Sequence, residues 1–190
     1  MSVASSTPSF ASHVVVAAPR STGALARAAC LLAMGSVLGL VESWLVPALP
    51  LPGVRLGLAN LAVVLAMVLV GDGRALAVSI GRVIIVGAAT GSLGGPGSAL
   101  AAGGALAAWT VMVALRRLGG ERFSVVGWSA AGSAAHVLAQ IGVACALAGS
   151  FAPLFVAPVS VLAGLVFGVI IGYLALLLLS RIPLAAYASR

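Results

Sequence analysis

The chain has 190 residues, of which 62% are hydrophobic and only 7% are charged, and its mean hydropathy is +1.24. So small a charged fraction cannot cover the surface of a soluble globule, and it predicts an all-α integral membrane protein solvated by lipid. All ten basic residues are arginine. The chain therefore cannot supply the P-loop lysine of an ATPase or a Schiff-base lysine.

Six apolar segments follow one another, separated by short runs rich in glycine and proline. A membrane-spanning helix needs about 20 mostly apolar residues, so the chain has room for six spans and little else. The predicted spans are 24–46, 56–70, 75–94, 98–115, 125–148 and 153–180. The second is short for a full crossing, so we expect either that protein caps it or that it crosses obliquely. We expect residues 1–23 to form a disordered cytoplasmic tail, residues 24–182 a six-helix transmembrane bundle, and residues 183–190 a second cytoplasmic tail.

The arginines outside the spans fall mainly on one side of this six-span arrangement. That side carries Arg20, Arg27, Arg74, Arg116, Arg117, Arg122, Arg181 and Arg190. Only Arg55 is expected on the other side. Because cytoplasmic loops carry an excess of basic residues, we expect both termini in the cytoplasm and the protein in the cell membrane. The net charge of +7 then reflects topology and contact with anionic lipid, and we expect no nucleic-acid partner.

Acidic residues are too few for several kinds of catalysis. Asp72 is the only aspartate, and Glu42 and Glu121 are the only glutamates. Paired acidic motifs that bind magnesium and a diphosphate substrate are therefore absent, and no Cys/His cluster has the spacing of metal ligands. We expect no catalytic residue, no metal and no other cofactor.

Polar residues inside the spans are costly in lipid and are the candidates for function. Asn60 lies near the outer end of the second span. His136 and Gln140 share one face of the fifth span, because they are four residues apart. Glu42 lies near the outer end of the first span, and Arg55 lies just before the second. All five belong to the middle and outer half of the membrane, where a solute pocket open to the outside would lie.

Each candidate also has a structural interpretation. A lone histidine in a membrane commonly bonds to a neighbouring helix, and Asn60 at a helix start can cap the helix or cross-link two spans. Glu42 and Arg55 can form an ion pair that holds the proline-rich first outer loop. Arg82, in the third span, is expected mainly to hold the bundle together, either by pairing with a helix C-terminus or by extending toward the cytoplasm.

Small residues predict close helix packing. Gly164, Gly168 and Gly172 are spaced by four residues in the sixth span and predict a groove that another helix approaches closely. Ala29 and Ala33 belong to a smooth face near the cytoplasmic end of the first span. That face suits docking of a partner helix, and it is equally ordinary as packing within the bundle. Gly132, one turn before His136, is expected to clear room beside the histidine.

The segment Arg55-Leu-Gly-Leu-Ala-Asn60, together with Arg82 and Gly132-x-x-x-His136-x-x-x-Gln140, resembles the pattern of the Gx transporter family, also labelled heptaprenyl diphosphate synthase component I. The resemblance covers about residues 30–180. That family is similar to the S components of energy-coupling factor transporters. The likeness implies a six-helix bundle that captures a vitamin-like solute and relies on a separate coupling subunit and ATPases. The chain departs from the pattern at Val137, where an asparagine is expected, so a polar contact of the family's pocket is expected to be missing.

Two functions of different classes follow from the resemblance. In the first, which we favour, the protein is the substrate-binding membrane subunit of an uptake transporter for a small vitamin-like or precursor solute. In the second, it is a non-catalytic membrane accessory component of polyprenyl diphosphate synthesis that assists a soluble prenyl synthase. A structural membrane protein without a ligand is a third interpretation. Arg55 and Arg82 suggest an anionic or polar group on the solute, and Trp44 offers an aromatic surface for a ring.

Overall fold

The computed structural model describes residues 22–45, 57–119 and 122–182, and in these ranges the chain forms α-helices and no strand. The helices are α1 (Thr22–Leu45), α2 (Asn60–Leu69), α3 (Asp72–Ala89), α4 (Pro96–Gly119), α5 (Val125–Ala148) and α6 (Ala157–Arg181). A five-residue 3-10 helix, Ala152–Val156, precedes α6. The predicted all-α class is confirmed for the described residues, and each predicted span corresponds to one helix.

Four helical stretches among the described residues are long and apolar enough to cross a membrane: α1, α4, α5 and the continuous stretch Ala152–Arg181. This finding supports a multi-pass membrane protein. α2 has only ten residues, a length of about 15 Å, which is half of a hydrocarbon core about 30 Å thick. α3 has 18 residues, but these include Asp72, Arg74 and Arg82. Six crossings and cytoplasmic termini therefore stay predictions.

Close contacts at glycines show that α5 and α6 run in opposite directions. A Cβ added to Gly164 would lie 3.0 Å from the Val137 side chain, and one added to Gly172 would lie 2.6 Å from the Cα of Val126. Residues that follow one another along α6 therefore contact residues that precede one another along α5, so the two helices are antiparallel. The same reversed order occurs between α1 and α2 and between α4 and α5. The groove predicted from the three spaced glycines of α6 is confirmed, and α5 is the helix that fills it.

Antiparallel packing brings the first residues of α1, α3 and α5 and the last residues of α2, α4 and α6 to one end of the bundle. We call this the basic end, because it collects six arginines of the described chain. They are Arg27, Arg74, Arg116, Arg117, Arg122 and Arg181. The prediction that these arginines share one side agrees with the packing of the helices.

α2 is the central helix of the bundle. It packs against α1, α3, α5 and α6. Asn60 and every residue from Ala62 to Leu69 are buried. Neighbouring protein, rather than lipid, therefore surrounds this apolar helix, and the expectation that protein covers the short second span is confirmed.

Several predicted boundaries differ from those of the helices, and the largest difference, at the end of α3, has a local reason. α3 ends at Ala89, not at residue 94, because Gly91 and Gly94 adopt φ values of +68° and +81° that continue no right-handed helix. α1 begins at Thr22, so residues 22 and 23 belong to the helix and not to the tail. The rest of the predicted tails and the first outer loop, with Arg55, lie outside the described residues.

Asp72 joins α3 to α4 at the basic end. Arg116 Nη1 donates to the Asp72 Oδ1 atom at 2.8 Å and to the backbone oxygen of Met67 at 2.7 Å. Arg117 donates to Oδ2 from Nε at 3.1 Å and from Nη2 at 2.9 Å. The indole nitrogen of Trp109 donates to the Asp72 backbone oxygen at 2.9 Å. Two arginines that the sequence analysis assigns to topology therefore also fasten the ends of three helices together.

Candidate functional site

A small cavity of about 50 Å³ lies at the N-terminal end of α2, and all six helices contribute to its wall. Five of its lining residues are polar and five are apolar or glycine. They are Glu42, Asn60, Arg82, Ser133 and His136, and Gly57, Ala101, Val137, Gly164 and Phe167. Because α2 is too short to fill the bundle from end to end, the cavity occupies the space beyond its first residue.

Asn60 forms the end of α2 that faces this cavity. Its backbone N–H donates to the Gly57 oxygen at 2.8 Å. The residue is only 6% exposed, and its amide nitrogen Nδ2 is buried and has no hydrogen-bond acceptor among the described residues. An amide donor buried in this way costs about 1–3 kcal/mol relative to one that is hydrogen-bonded. The side chain is therefore suited to donating to an oxygen atom of a bound molecule.

His136 also lines the cavity, and two contacts fix its imidazole ring. Gln140 Nε2 lies 2.9 Å from His136 Nε2, one turn away on α5. The same end of the ring lies against Gly104 of α4, where an added Cβ would be 2.8 Å from two ring atoms. Gln140 is itself 7% exposed and does not line the cavity. Of the predicted pair, His136 faces the cavity and Gln140 orients it.

Glu42 connects the end of α1 to the approach of α2. Its Oε1 accepts a hydrogen bond from the backbone N–H of Gly57 at 2.9 Å, and Gly57 has a φ of +67°. Such a φ is readily adopted only by glycine. The carboxylate thus holds the turn that brings Asn60 to the cavity. The alternative ion pair with Arg55 involves a residue outside the described ranges and stays a prediction.

A larger cleft of about 580 Å³ adjoins the cavity at the end opposite the basic end. It lies between α1, α3 and the start of α4, and Trp44, which is 79% exposed, forms part of it. Its other lining residues are Gly39, Leu40, Glu42, Ser43, Arg82, Val83, Val86, Gly87, Ala89, Thr90, Ser92, Gly97, Ser98 and Ala101. Glu42, Arg82 and Ala101 line both spaces, so cavity and cleft share a wall.

Arg82 lies at this shared wall. It is half-buried on α3, and its Cδ is 3.7 Å from the position that a Cβ on Gly35 of α1 would take. The close approach of α1 and α3 at this glycine therefore packs the aliphatic part of the arginine. The sequence predicts mainly a structural role for Arg82, and the structure adds that the residue lines both spaces.

The sequence model of one protein family, described as heptaprenyl diphosphate synthase component I, matches residues 31–178 of the chain. The chain belongs to the heptaprenyl diphosphate synthase component I family. Neither a curated protein nor a solved structure matches it. All ten residues of the cavity wall fall inside the matched range. The cavity is thus part of the segment that defines this component I protein as a member of its family.

Three further lining residues of the component I protein were not singled out as binding residues from the sequence. Val137 lines the cavity and is 6% exposed, so the position where an asparagine is expected does face this space. Ser133 lies one turn before it, and Phe167 lies three residues after Gly164 on α6. Ser133 lies three residues before His136, and Phe167 three residues after Gly164, so spacing along one helix face is the signal that points to these two residues.

Two other expectations concern small residues. Gly132 does not clear room for a ligand, because the Met112 side chain of α4 fills the space beside it, with Cγ 2.6 Å from the position of an added Cβ. Met112 is fully buried. Ala29 and Ala33 are exposed on α1 in the isolated chain. That exposure is compatible with lipid contact or with docking, and their partner role stays a prediction.

Proposed function

We propose that the protein is a non-catalytic, ligand-binding membrane component of heptaprenyl diphosphate synthesis. The observation that carries this proposal is the family match over residues 31–178, together with a polar cavity inside the matched range. The whole sequence has only three acidic residues. Catalysis of prenyl transfer with magnesium requires clustered carboxylates, so the chemistry is assigned to a separate soluble prenyl synthase.

The physical reason for a membrane component lies in the product. A prenyl diphosphate joins a long apolar chain to a charged head, and each buried methylene of such a chain favours the apolar phase by about 0.8 kcal/mol. A membrane-embedded subunit beside the synthase would receive or position this amphiphile where its chain is already stable. Such a role requires a polar site that is enclosed by apolar helices and reached from the side on which the synthase lies. The cavity at Asn60 supplies the polar site, and cysteine labelling of the bundle ends tests the side that it faces.

The experiment is to purify the tagged full chain from gently solubilised native membranes and to assay its partners and their activity. We expect a soluble prenyl synthase to co-purify and its chain-elongation rate to rise when the membrane component is added back in lipid vesicles. The full chain is used throughout. Absence of the synthase from the complex, with no change in elongation rate, would contradict the proposal.

A second candidate function is the binding subunit of an uptake transporter similar to an S component. The observation that favours it is the position of the cavity and cleft, which lie away from the basic end. If the basic end is cytoplasmic, the site opens toward the outside. The exposed Ala29 and Ala33 near the basic end would then meet the coupling subunit, because small residues let another helix approach closely.

The two functions separate in a reconstituted system. The chain has neither a P-loop lysine to hydrolyse ATP nor a plausible acidic proton relay, so the transporter role predicts concentrative uptake only when a coupling subunit and ATPases are added. Co-purification of those subunits in place of a prenyl synthase would favour transport. Concentrative uptake by the purified chain alone would contradict the transporter role as stated.

A further inference from the structure

The cavity and the larger cleft differ in size. Half of the residues that line the cavity are polar, and its volume of about 50 Å³ suits only a small group. The cleft has more than ten times this volume, and its lining combines Leu40, Val83 and Val86 beside the indole of Trp44 with Ser43, Thr90, Ser92 and Ser98. A molecule that occupies both spaces needs a compact polar head that fits the cavity and a larger body that rests on the apolar part of the cleft.

The donors in the cavity indicate which polar head it takes. Asn60 Nδ2 is a buried donor with no acceptor among the described residues, and the residue lies at the cavity wall. It needs an oxygen acceptor from the ligand. Arg82 adds a permanent positive charge at the wall that both spaces share.

Glu42 is the second charged residue at this wall. Glu42 accepts from the Gly57 backbone through Oε1, and this bond holds the turn before α2. The N-terminal end of α2 also points at the cavity, where its backbone dipole favours negative charge. An anionic head therefore meets two favourable contributions, from Arg82 and from the helix end, and one unfavourable contribution from Glu42.

We infer that the cavity and the cleft form one continuous site for an amphipathic anion. Its phosphate or carboxylate oxygens accept from Asn60 and Arg82, and its apolar body lies in the cleft against Trp44. The inference deepens the proposed function, on which it rests for the choice of a prenyl diphosphate as the probe. It assigns Asn60 and Arg82 as head-binding residues and Trp44 as a body-binding residue.

The test measures the affinity of the purified full chain in lipid nanodiscs for four probes. Farnesyl diphosphate carries head and body, inorganic diphosphate is the head alone, farnesol is the body alone, and palmitate joins a carboxylate to an apolar chain. We expect farnesyl diphosphate to bind at least about tenfold more tightly than either of its parts. Tighter binding of palmitate than of farnesyl diphosphate would support the amphipathic anion and count against the prenyl diphosphate. Farnesol that binds as tightly as farnesyl diphosphate would overturn the inference.

Three variants locate the head. Asn60→Leu and Arg82→Gln should each weaken binding of farnesyl diphosphate by about tenfold, because each loses a hydrogen bond to a charged group. Arg181→Gln is the matched control, since Arg181 is exposed and lines neither space. The affinity of Arg181→Gln for farnesyl diphosphate should stay within about twofold of that of the unaltered protein. Unchanged affinity in both Asn60→Leu and Arg82→Gln would overturn the assignment.

A second readout separates binding from folding. Asn60→Leu removes a buried unpaired donor, so the melting temperature without ligand should stay the same or rise, while the rise on adding farnesyl diphosphate is lost. Glu42→Gln keeps an oxygen acceptor for Gly57 and removes the negative charge, so it should tighten binding of an anion. Weaker binding in Glu42→Gln would indicate a cationic head and overturn the inference. Co-purification of a prenyl synthase is independent of these affinities, so either result can fail without the other.

Discussion

Nε2 of Gln140 lies 2.9 Å from Nε2 of His136, and the two residues are one turn apart on α5. With the amide as donor, the neutral imidazole accepts at Nε2 and carries its proton on Nδ1. Gly104 of α4 lies against the same end of the ring. The two side chains therefore act as one unit, in which Gln140 orients the residue that lines the cavity.

Gly104→Ala should displace the His136 ring while leaving its chemistry intact. The added methyl carbon would lie 2.8 Å from ring atoms, so the ring has to move. We expect binding of farnesyl diphosphate to weaken by about fivefold to tenfold, as for a distorted hydrogen bond. Isothermal titration of the variant in nanodiscs measures this change.

Gly142→Ala on α5 is the matched control, since a Cβ there meets nothing within 4 Å. Alanine in a helix interior is more favourable than glycine by about 0.5–1 kcal/mol, so this variant should be slightly more stable and bind normally. Equal affinities in the two variants would show that the ring position does not matter for binding.

Asp72→Ala should destabilise the fold at the basic end. The side chain of Arg116 is 25% exposed and would lose its carboxylate partner, which leaves a partly buried charge unpaired. We expect a loss of about 2–3 kcal/mol in the free energy of unfolding. Arg117→Ala is the comparison, because that side chain is 68% exposed and an exposed pair contributes less than about 1 kcal/mol. Unfolding in SDS, followed by circular dichroism, gives both values, and similar losses would contradict the assigned difference.

Gly168→Ala should force α5 and α6 apart. A Cβ at this position would lie 2.7 Å from the Cα of Ala130, and a backbone atom cannot rotate away as a side chain can. Such overpacking costs about 1–3 kcal/mol. The melting temperature in nanodiscs should fall, whereas that of Gly142→Ala should not. A Gly168→Ala protein as stable as the original would show that the two helices adjust freely.

The predicted topology can be tested by labelling single cysteines in a background that lacks Cys30 and Cys145. Cysteines at residues 50 and 95 should react with a membrane-impermeant reagent in intact cells. Cysteines at residues 73 and 119, which the structure places at the basic end, should react only after the membrane is opened. Labelling of residues 73 and 119 in intact cells would indicate the reverse orientation and contradict cytoplasmic termini.

Local chemistry explains which helices the sequence predicts well. The predicted fifth span coincides with α5, Val125–Ala148, because Ser124 accepts from the Gly127 N–H at one end and Gly149 takes a φ of +59° at the other. The predicted third span was misplaced at both ends. The start of α3 depends on Asp72, whose partners lie on another helix. An assignment by hydropathy alone places a charged residue such as this one in a loop.

Some of the predicted binding residues lie together, although their binding role stays a prediction. Asn60 and His136 stand out as polar residues in apolar segments, and the structure places both at one cavity. Arg82 was expected mainly to support the bundle. The sequence gives its position along a helix, but it does not show which side of that helix faces the cavity. The filling of the space at Gly132 by Met112 depends on contact between α4 and α5, and no spacing within either helix specifies it.

The short central helix has one more consequence, for the response of the site to acidity. α2 begins at Asn60 and is surrounded by protein, so its dipole acts where the dielectric constant is low and little water screens it. Backbone dipoles do not titrate, and an arginine keeps its charge throughout the physiological range. These two sources of positive potential at the cavity therefore stay the same in acidic and in neutral surroundings.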